Sequence, residues 1–226
     1  MEKQTITMDI RTLQKELSHD GRKLLTYRID YPQFQGERCE MALALMNAYY
    51  LTRAKSYQRY LERELFPQAV EQYANALEHG YPVMVYEALV KYSLTLKNRC
   101  IVSLYSDQYE FTGGAHGNTI RSAETWNLQK CCRVKLRDLV GCGEDSKEML
   151  FPLLEEQIAR SPEIYFDDYK TLLCKTFDEN NFYCTPQGMV IYYQQYDIAP
   201  YSSGIRTFLL PYGECIRPPQ TTCFHA

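Results

Sequence analysis

The chain has 226 residues, 45% hydrophobic and 23% charged, enough apolar material to bury a core. Lys plus Arg number 25 against 28 Asp plus Glu, and a net charge of −3 excludes a polybasic nucleic-acid or lipid surface as the main device. No apolar run approaches the length of about 18 residues that a membrane-spanning helix needs, and the opening Met1-Glu2-Lys3-Gln4-Thr5 lacks the apolar segment of a signal peptide.

Ile6-Thr7-Met8-Asp9-Ile10 alternates apolar and polar side chains and predicts a strand. A turn at Asp20-Gly21 leads into a second strand over 24–31, which Pro32 is expected to end. Residues 37–66 contain neither Gly nor Pro, and Leu43, Met46, Tyr50, Ala54, Tyr57, Leu61 and Leu65 recur at steps of three or four. That spacing predicts a long amphipathic helix. Val70, Tyr73, Ala74 and Leu77 continue it to Gly80, so Pro67 marks either a kink or the first turn of a new helix.

From Pro82 the pattern turns to strands, over 83–87, 90–96 and 100–106, with Lys97-Asn98-Arg99 as the turn of an antiparallel hairpin. Gly113-Gly114-Ala115-His116-Gly117 interrupts, and a further strand is expected over 119–128. After Leu136-Arg137-Asp138-Leu139 and a loop at Gly141 and Gly143, residues 145–160 predict a second helix. Thr185-Pro186-Gln187-Gly188 carries turn chemistry between strands at 182–184 and 189–193. A last strand is expected over 205–211, followed by a loose tail. Strands and helices come in blocks, so the expected class is α+β, with antiparallel sheets and long helices packed against them. The expected organisation is an N-terminal strand–helix–hairpin half over 1–117, a C-terminal half over 118–215 and a tail over 216–226, forming one compact unit.

Nine cysteines, an odd number, lie at 39, 100, 131, 132, 142, 174, 184, 215 and 223. No C-x-x-C spacing occurs, and the cluster Cys131, Cys132 and Cys142 would need a fourth ligand from elsewhere to hold zinc. They read as reduced structural thiols, which favours a reducing compartment and a cytoplasmic location for the chain as written. The histidines at 19, 79, 116 and 225 include no i, i+4 pair, and no H-E-x-x-H, G-x-S-x-G, Walker A or G-x-G-x-x-G sequence is present. No catalytic residue, metal or cofactor is therefore assigned. The glycine loop precedes a strand rather than a helix, so it lacks the dipole and stacked N–H donors of a phosphate site. Its glycines permit a sharp turn, in which His116 either pins its own loop or faces a ligand.

Tyr109-Glu110-Phe111-Thr112-Gly113-Gly114-Ala115-His116-Gly117 resembles the central motif of a bacterial family. Members form the extracellular part of RsiV-type anti-sigma factors and precede the catalytic domain of PdaC-type peptidoglycan deacetylases. Trp126-Asn127-Leu128 with Leu136-Arg137-Asp138-Leu139 resembles the family's next stretch, and Phe182-Tyr183 with 185–193 its late hairpin. Tyr196-Asp197-Ile198-Ala199-Pro200-Tyr201-Ser202-Ser203-Gly204 is similar to the segment that follows. The resemblance implies an α+β fold without catalytic activity of its own, and as partner a lysozyme-like protein or peptidoglycan.

The leading expectation is thus a binding module for a protein or glycan, with Gly113, Gly114, His116, Tyr196, Pro200 and Tyr201 as ligand-binding residues. Tyrosine suits that role, since it offers a large amphipathic contact at modest entropic cost. Many of the twenty fall on helix and strand faces and read as core, with Tyr193, Tyr196 and Tyr201 as the surface candidates. The alternative is an enzyme that uses His116 or a reactive cysteine, such as Cys131 or Cys132, in wall-glycan modification. If the sequence is part of a longer exported protein, the expected location is extracellular.

Overall fold

The structure is a computed structural model that describes residues 6–141 and 146–224. His225, Cys142 and Gly143, noted in the sequence, lie outside the described residues. Thr7–His19 (β1) and Arg22–Gln35 (β2) pair antiparallel across Asp20-Gly21, whose φ angles of 49° and 73° are those a tight two-residue hairpin turn requires. Pro32 does not end β2; it lies opposite Ile10 inside the strand. The other edge of β2 pairs with β3 only over Leu25 to Ile29, so beyond that point an N–H is not needed.

The helix predicted from periodicity runs from Glu40 to Tyr60 (α1), widens into a π turn over Leu61–Leu65, and continues as Phe66–His79 (α2). Pro67 stands in the first turn of α2, and the widened turn precedes it. A proline ring crowds the carbonyl four residues back and offers no N–H to it, and a π turn relieves both. The helix stops at Gly80, in the left-handed conformation at φ 69°. Leu61 and Leu65 join Ala54, Leu24, Leu25 and Ile29 in a core against β2.

Tyr86–Lys97 (β3), Ile101–Phe111 (β4), Asn118–Asn127 (β5) and Cys132–Arg133 (β6) complete a six-stranded sheet in the order β1-β2-β3-β4-β5-β6. Residues 83–85 lie before β3, and the two strands expected over 83–96 are one. β2 and β3 are parallel because α1 and α2 form the crossover between them, so this sheet is mixed rather than wholly antiparallel. Leu136–Leu139 (α3), Ser146–Ile158 (α4) and Tyr169–Lys175 (α5) accompany a second, antiparallel sheet of Phe182–Cys184 (β7), Gly188–Tyr193 (β8) and Arg206–Pro211 (β9). Leu150, Leu154, Ile158, Leu173, Ile191 and Phe208 centre its core. The class is α+β.

The chain divides into two units rather than one: Met1–Tyr92 with Ser106–Ile120, and Ser93–Tyr105 with Arg121–Ala226. The expected division after 117 misses the middle of the β3–β4 hairpin, because Val90 belongs to the first core whereas Leu96 and Ile101 belong to the second. The expectation of a loose tail is corrected as well. Ile216 bridges Val140, Arg217 N donates to Leu139 O at 2.7 Å, and Pro219–Thr222 forms a short 3-10 turn. Cys223 is then bonded to Cys100, and Asn127 Nδ2 donates to Thr222 O at 3.1 Å.

That disulfide is an exception to the reading of the cysteines as mostly free, reduced thiols. Cys215 is disulfide-bonded too, while Cys39, Cys131, Cys132, Cys174 and Cys184 are free. Free thiols and disulfide-bonded cysteines thus occur together in the chain. Among the described residues no helix is long and apolar enough to cross a membrane.

Candidate functional site

The first unit holds the glycine loop. After β4 ends at Phe111, Gly113 and Gly114 take φ angles of 91° and 96°, open to glycine and strained for other residues. Gly117 is buried, and a Cβ there would run into the Tyr109 ring and lie 2.6 Å from Glu110 O. His116 is exposed, with Nδ1 3.1 Å from Gly117 O, so a proton on Nδ1 is donated back to the loop. This contact is the loop-pinning one of the two roles expected for it.

The stem of the loop is fixed by residues the sequence reading passed over. Glu110 Oε1 accepts from the Tyr57 hydroxyl at 2.7 Å and from Gln108 Nε2 at 3.1 Å, and Oε2 from the Tyr60 hydroxyl at 3.5 Å. The Tyr57 and Tyr60 rings stack 5.9 Å apart. Burial, reinforced by the Glu110 carboxylate, pushes both phenols above the ordinary tyrosine range. The arrangement holds α1 to the end of β4 and keeps the Tyr57 proton where it is. Its only sequence signals were the place of Glu110 inside the quoted motif and that of Tyr57 on the periodic helix face.

The second unit holds the loop after β8. Gln194 N donates to Asp197 Oδ2 at 2.6 Å and Asp197 N to Gln194 O at 3.2 Å, closing a turn that throws Tyr196 outward. Tyr196 sits at φ 68°, unusual for a bulky residue, and is 53% exposed. Burial raises the Asp197 carboxyl, partly offset by the bond from Gln194 N. Ile198 and Ala199 are buried, Phe166 N donates to Ile198 O at 3.1 Å, and Pro200 leads into a 3-10 turn over Tyr201–Ser203. Ser203 Oγ anchors that turn to Ile164 O at 2.9 Å.

The Tyr196 and Tyr201 rings meet at 5.9 Å with a 34° tilt, beside half-buried Pro200. Tyr196, Pro200 and Tyr201 are therefore one surface feature, whereas Tyr193, expected at the surface, is buried and its hydroxyl donates to Leu173 O at 3.1 Å. Gly113, Gly114 and His116 form another, in the other unit. The second loop has a missed support of its own. The Gln194 side chain donates to Arg121 O at 2.7 Å and accepts from Arg121 N at 2.9 Å, a two-bond clasp onto β5. The Arg121 guanidinium lies 3.9 Å from the centre of the Tyr105 ring, which meets Tyr183 at 5.0 Å.

Among the expected reactive groups, burial pushes the Cys184 thiol up to about 11, away from thiolate chemistry. Cys131 Sγ faces Leu128 O at 3.8 Å in its own turn. No group of three or more His, Cys, Asp or Glu residues among those described is placed to hold a metal ion.

Comparison with known proteins divides the chain in sequence. Residues 18–119 match the family described as deacetylase PdaC, and residues 137–213 match a protein family of unknown function, DUF3298. The peptidoglycan-N-acetylmuramic acid deacetylase PdaC of Bacillus subtilis is 21% identical over 175 residues, which cover 74% of this chain but 34% of that protein. The chain therefore spans about a third of that relative. A crystal structure of a DUF3298 family member from Bacteroides fragilis superimposes with a TM-score of 0.69 at 19% identity, covering 97% of both chains. One from Pseudomonas aeruginosa gives 0.57 at 16% identity, over 93% of this chain and 92% of that one. At these identities the likeness is one of fold.

Proposed function

Because the chain pairs a PdaC-type domain with a DUF3298 domain, we propose that it is a non-catalytic recognition module for a bacterial cell-wall ligand, with peptidoglycan first and a lysozyme-like protein second. The observation that carries the reading is the Tyr196–Tyr201 pair: two rings 5.9 Å apart on a loop whose backbone is already fixed. Buried Ile198 and Ala199, the Asp197 turn, Pro200 and the Ser203 anchor hold that loop before any ligand arrives. A preordered aromatic pair gives contact area without a large ordering cost. The name of the Bacillus subtilis relative supports peptidoglycan as the ligand, and the Cys100–Cys223 disulfide supports an extracytoplasmic location. On this reading Gly113, Gly114 and His116 keep one loop in shape, while Tyr196, Pro200 and Tyr201 meet the ligand.

The test is cosedimentation with purified sacculi, run beside a titration with lysozyme. Tyr196→Ala and Tyr201→Ala should each weaken binding by about 1–3 kcal/mol, and Tyr196→Ala should leave stability within about 1 kcal/mol, as exposed positions do. Wild-type protein that binds neither sacculi nor lysozyme at high micromolar concentration removes the proposal. Variants that bind as well as wild type move the site elsewhere.

A further inference from the structure

Helix α1 is apolar on two opposite sides. Leu43, Met46, Tyr50 and Ala54 face inward and are buried. On the opposite side Met41 is 70% exposed, Leu45 48% and Leu51 42%, with exposed Ala44 and Ala48 between them. At 3.6 residues per turn these five fall within about a third of the helix circumference and run along roughly 15 Å of its length. A soluble helix with one core-facing stripe ordinarily turns charged residues outward, and a second contiguous apolar stripe marks a contact surface.

Where the stripe ends, a groove of about 550 Å³ follows, lined by Leu51, Thr52, Lys55, Gln58, Arg59 and Glu62. The charges at the two ends of the stripe differ. Glu37, Arg38 and Glu40 precede it, two acids against one base, whereas Lys55 and Arg59 follow it. Lys55 donates to the neutral Gln58 amide at 3.1 Å and Arg59 to the Ser56 hydroxyl at 3.1 Å, while Glu62 takes the Lys15 ammonium at 3.2 Å.

We propose that this face docks a second copy of the chain, α1 against α1, antiparallel about a two-fold axis at Ala48. In that arrangement each residue meets the one as far beyond Ala48 as it lies before it. Met41, seven residues before, meets Lys55, seven after, so the most exposed apolar side chain of the stripe enters the groove of the other copy. Leu45 meets Leu51, and Ala48 meets itself, its small side chain allowing the helices to approach closely. The same symmetry sets Glu40 of one copy near Lys55 and Arg59 of the other, twice over. A contact that matches itself in shape and charge under a two-fold rotation is what an isologous dimer requires. One helix pair makes a small interface, so the dimer belongs to the weak, micromolar class.

The test is sedimentation equilibrium of the full chain, its free thiols alkylated beforehand, from about 1 to about 300 µM. The wild type should show a reversible monomer–dimer equilibrium. Leu45→Glu should be monomeric throughout, with an unchanged denaturation midpoint, and Met41→Gln should shift the equilibrium the same way without adding a charge. Glu40→Lys and Lys55→Glu should each weaken the dimer about fivefold or more, and the double variant should return to near wild-type association. A wild type that stays monomeric at the highest concentration overturns the proposal, as does a dimer that Leu45→Glu leaves intact. A double variant no better than either single one rejects the antiparallel register.

Discussion

The Tyr57 hydroxyl on α1 donates to Glu110 Oε1 on β4 across 2.7 Å and so ties the long helix to the strand that leads into the glycine loop. Tyr57→Phe removes the donor and leaves a half-buried carboxylate oxygen with only Gln108 in hydrogen-bond reach. A loss of about 1–2 kcal/mol is expected, measured by urea unfolding. A variant as stable as wild type would show that the bond adds nothing.

Three substitutions separate the roles within the glycine loop. Gly117→Ala drives a methyl group into the Tyr109 ring and to 2.6 Å from Glu110 O, so it should cost about 2 kcal/mol or more. Gly114→Ala meets no neighbouring atom but is forced to φ 96°, and about 1 kcal/mol of strain is expected. His116→Ala, at an exposed site, should cost about 0.5 kcal/mol. Thermal or urea unfolding ranks the three. A Gly117→Ala protein as stable as His116→Ala would contradict the close packing of Tyr109.

Tyrosines set the alkaline limit of the fold. Burial raises the phenol of Tyr27 from 10.0 to about 12, with the Glu62 hydrogen bond adding to it. Burial likewise raises Tyr57, Tyr60, Tyr86, Tyr193 and Tyr212. In the unfolded chain these groups lose their protons near pH 10, while the folded chain still holds them. Their contribution to stability is therefore complete below pH 10 and is lost as pH rises through the folded values, for Tyr27 between 10 and about 12. Part of the tyrosinate absorbance should appear only together with the loss of circular dichroism. Smooth ionisation of all twenty tyrosines with the spectrum intact would refute this.

The Cys100–Cys223 bond links residues 123 positions apart, and its removal should be costly. Cys223→Ser is expected to lose about 2–5 kcal/mol. In hydrogen exchange, the amides of 216–224 should lose protection before those of β8. Peptide mapping of the unreduced protein should recover Cys100 joined to Cys223, and both peptides recovered with free thiols would withdraw the bond.

What could be read in advance was whatever repeats locally. The inward face of α1 shows itself as apolar residues at steps of three and four, and the Asp20-Gly21 turn as a dipeptide suited to positive φ. Pro32 misled because a proline can occupy a strand whose outer edge is unpaired there, and which edge is unpaired depends on β3, more than fifty positions on. The same distance hid the Tyr57–Glu110 bond and the disulfide, since neither leaves a period. Tyr196 and Tyr201 could be picked out because the bend that joins their rings lies within five residues. Gln194 could not, because its partner Arg121 lies 73 positions away.

The peptide passes between the two units three times, after Tyr92, Tyr105 and Ile120. A recombination event that inherited the segment matching the PdaC family, 18–119, would carry off Ser93–Tyr105 and deprive the other half of Leu96 and Ile101. Neither half can be transplanted by a single splice. Moving the first unit intact while leaving the second whole takes three joints in the chain, where two domains strung end to end would take one.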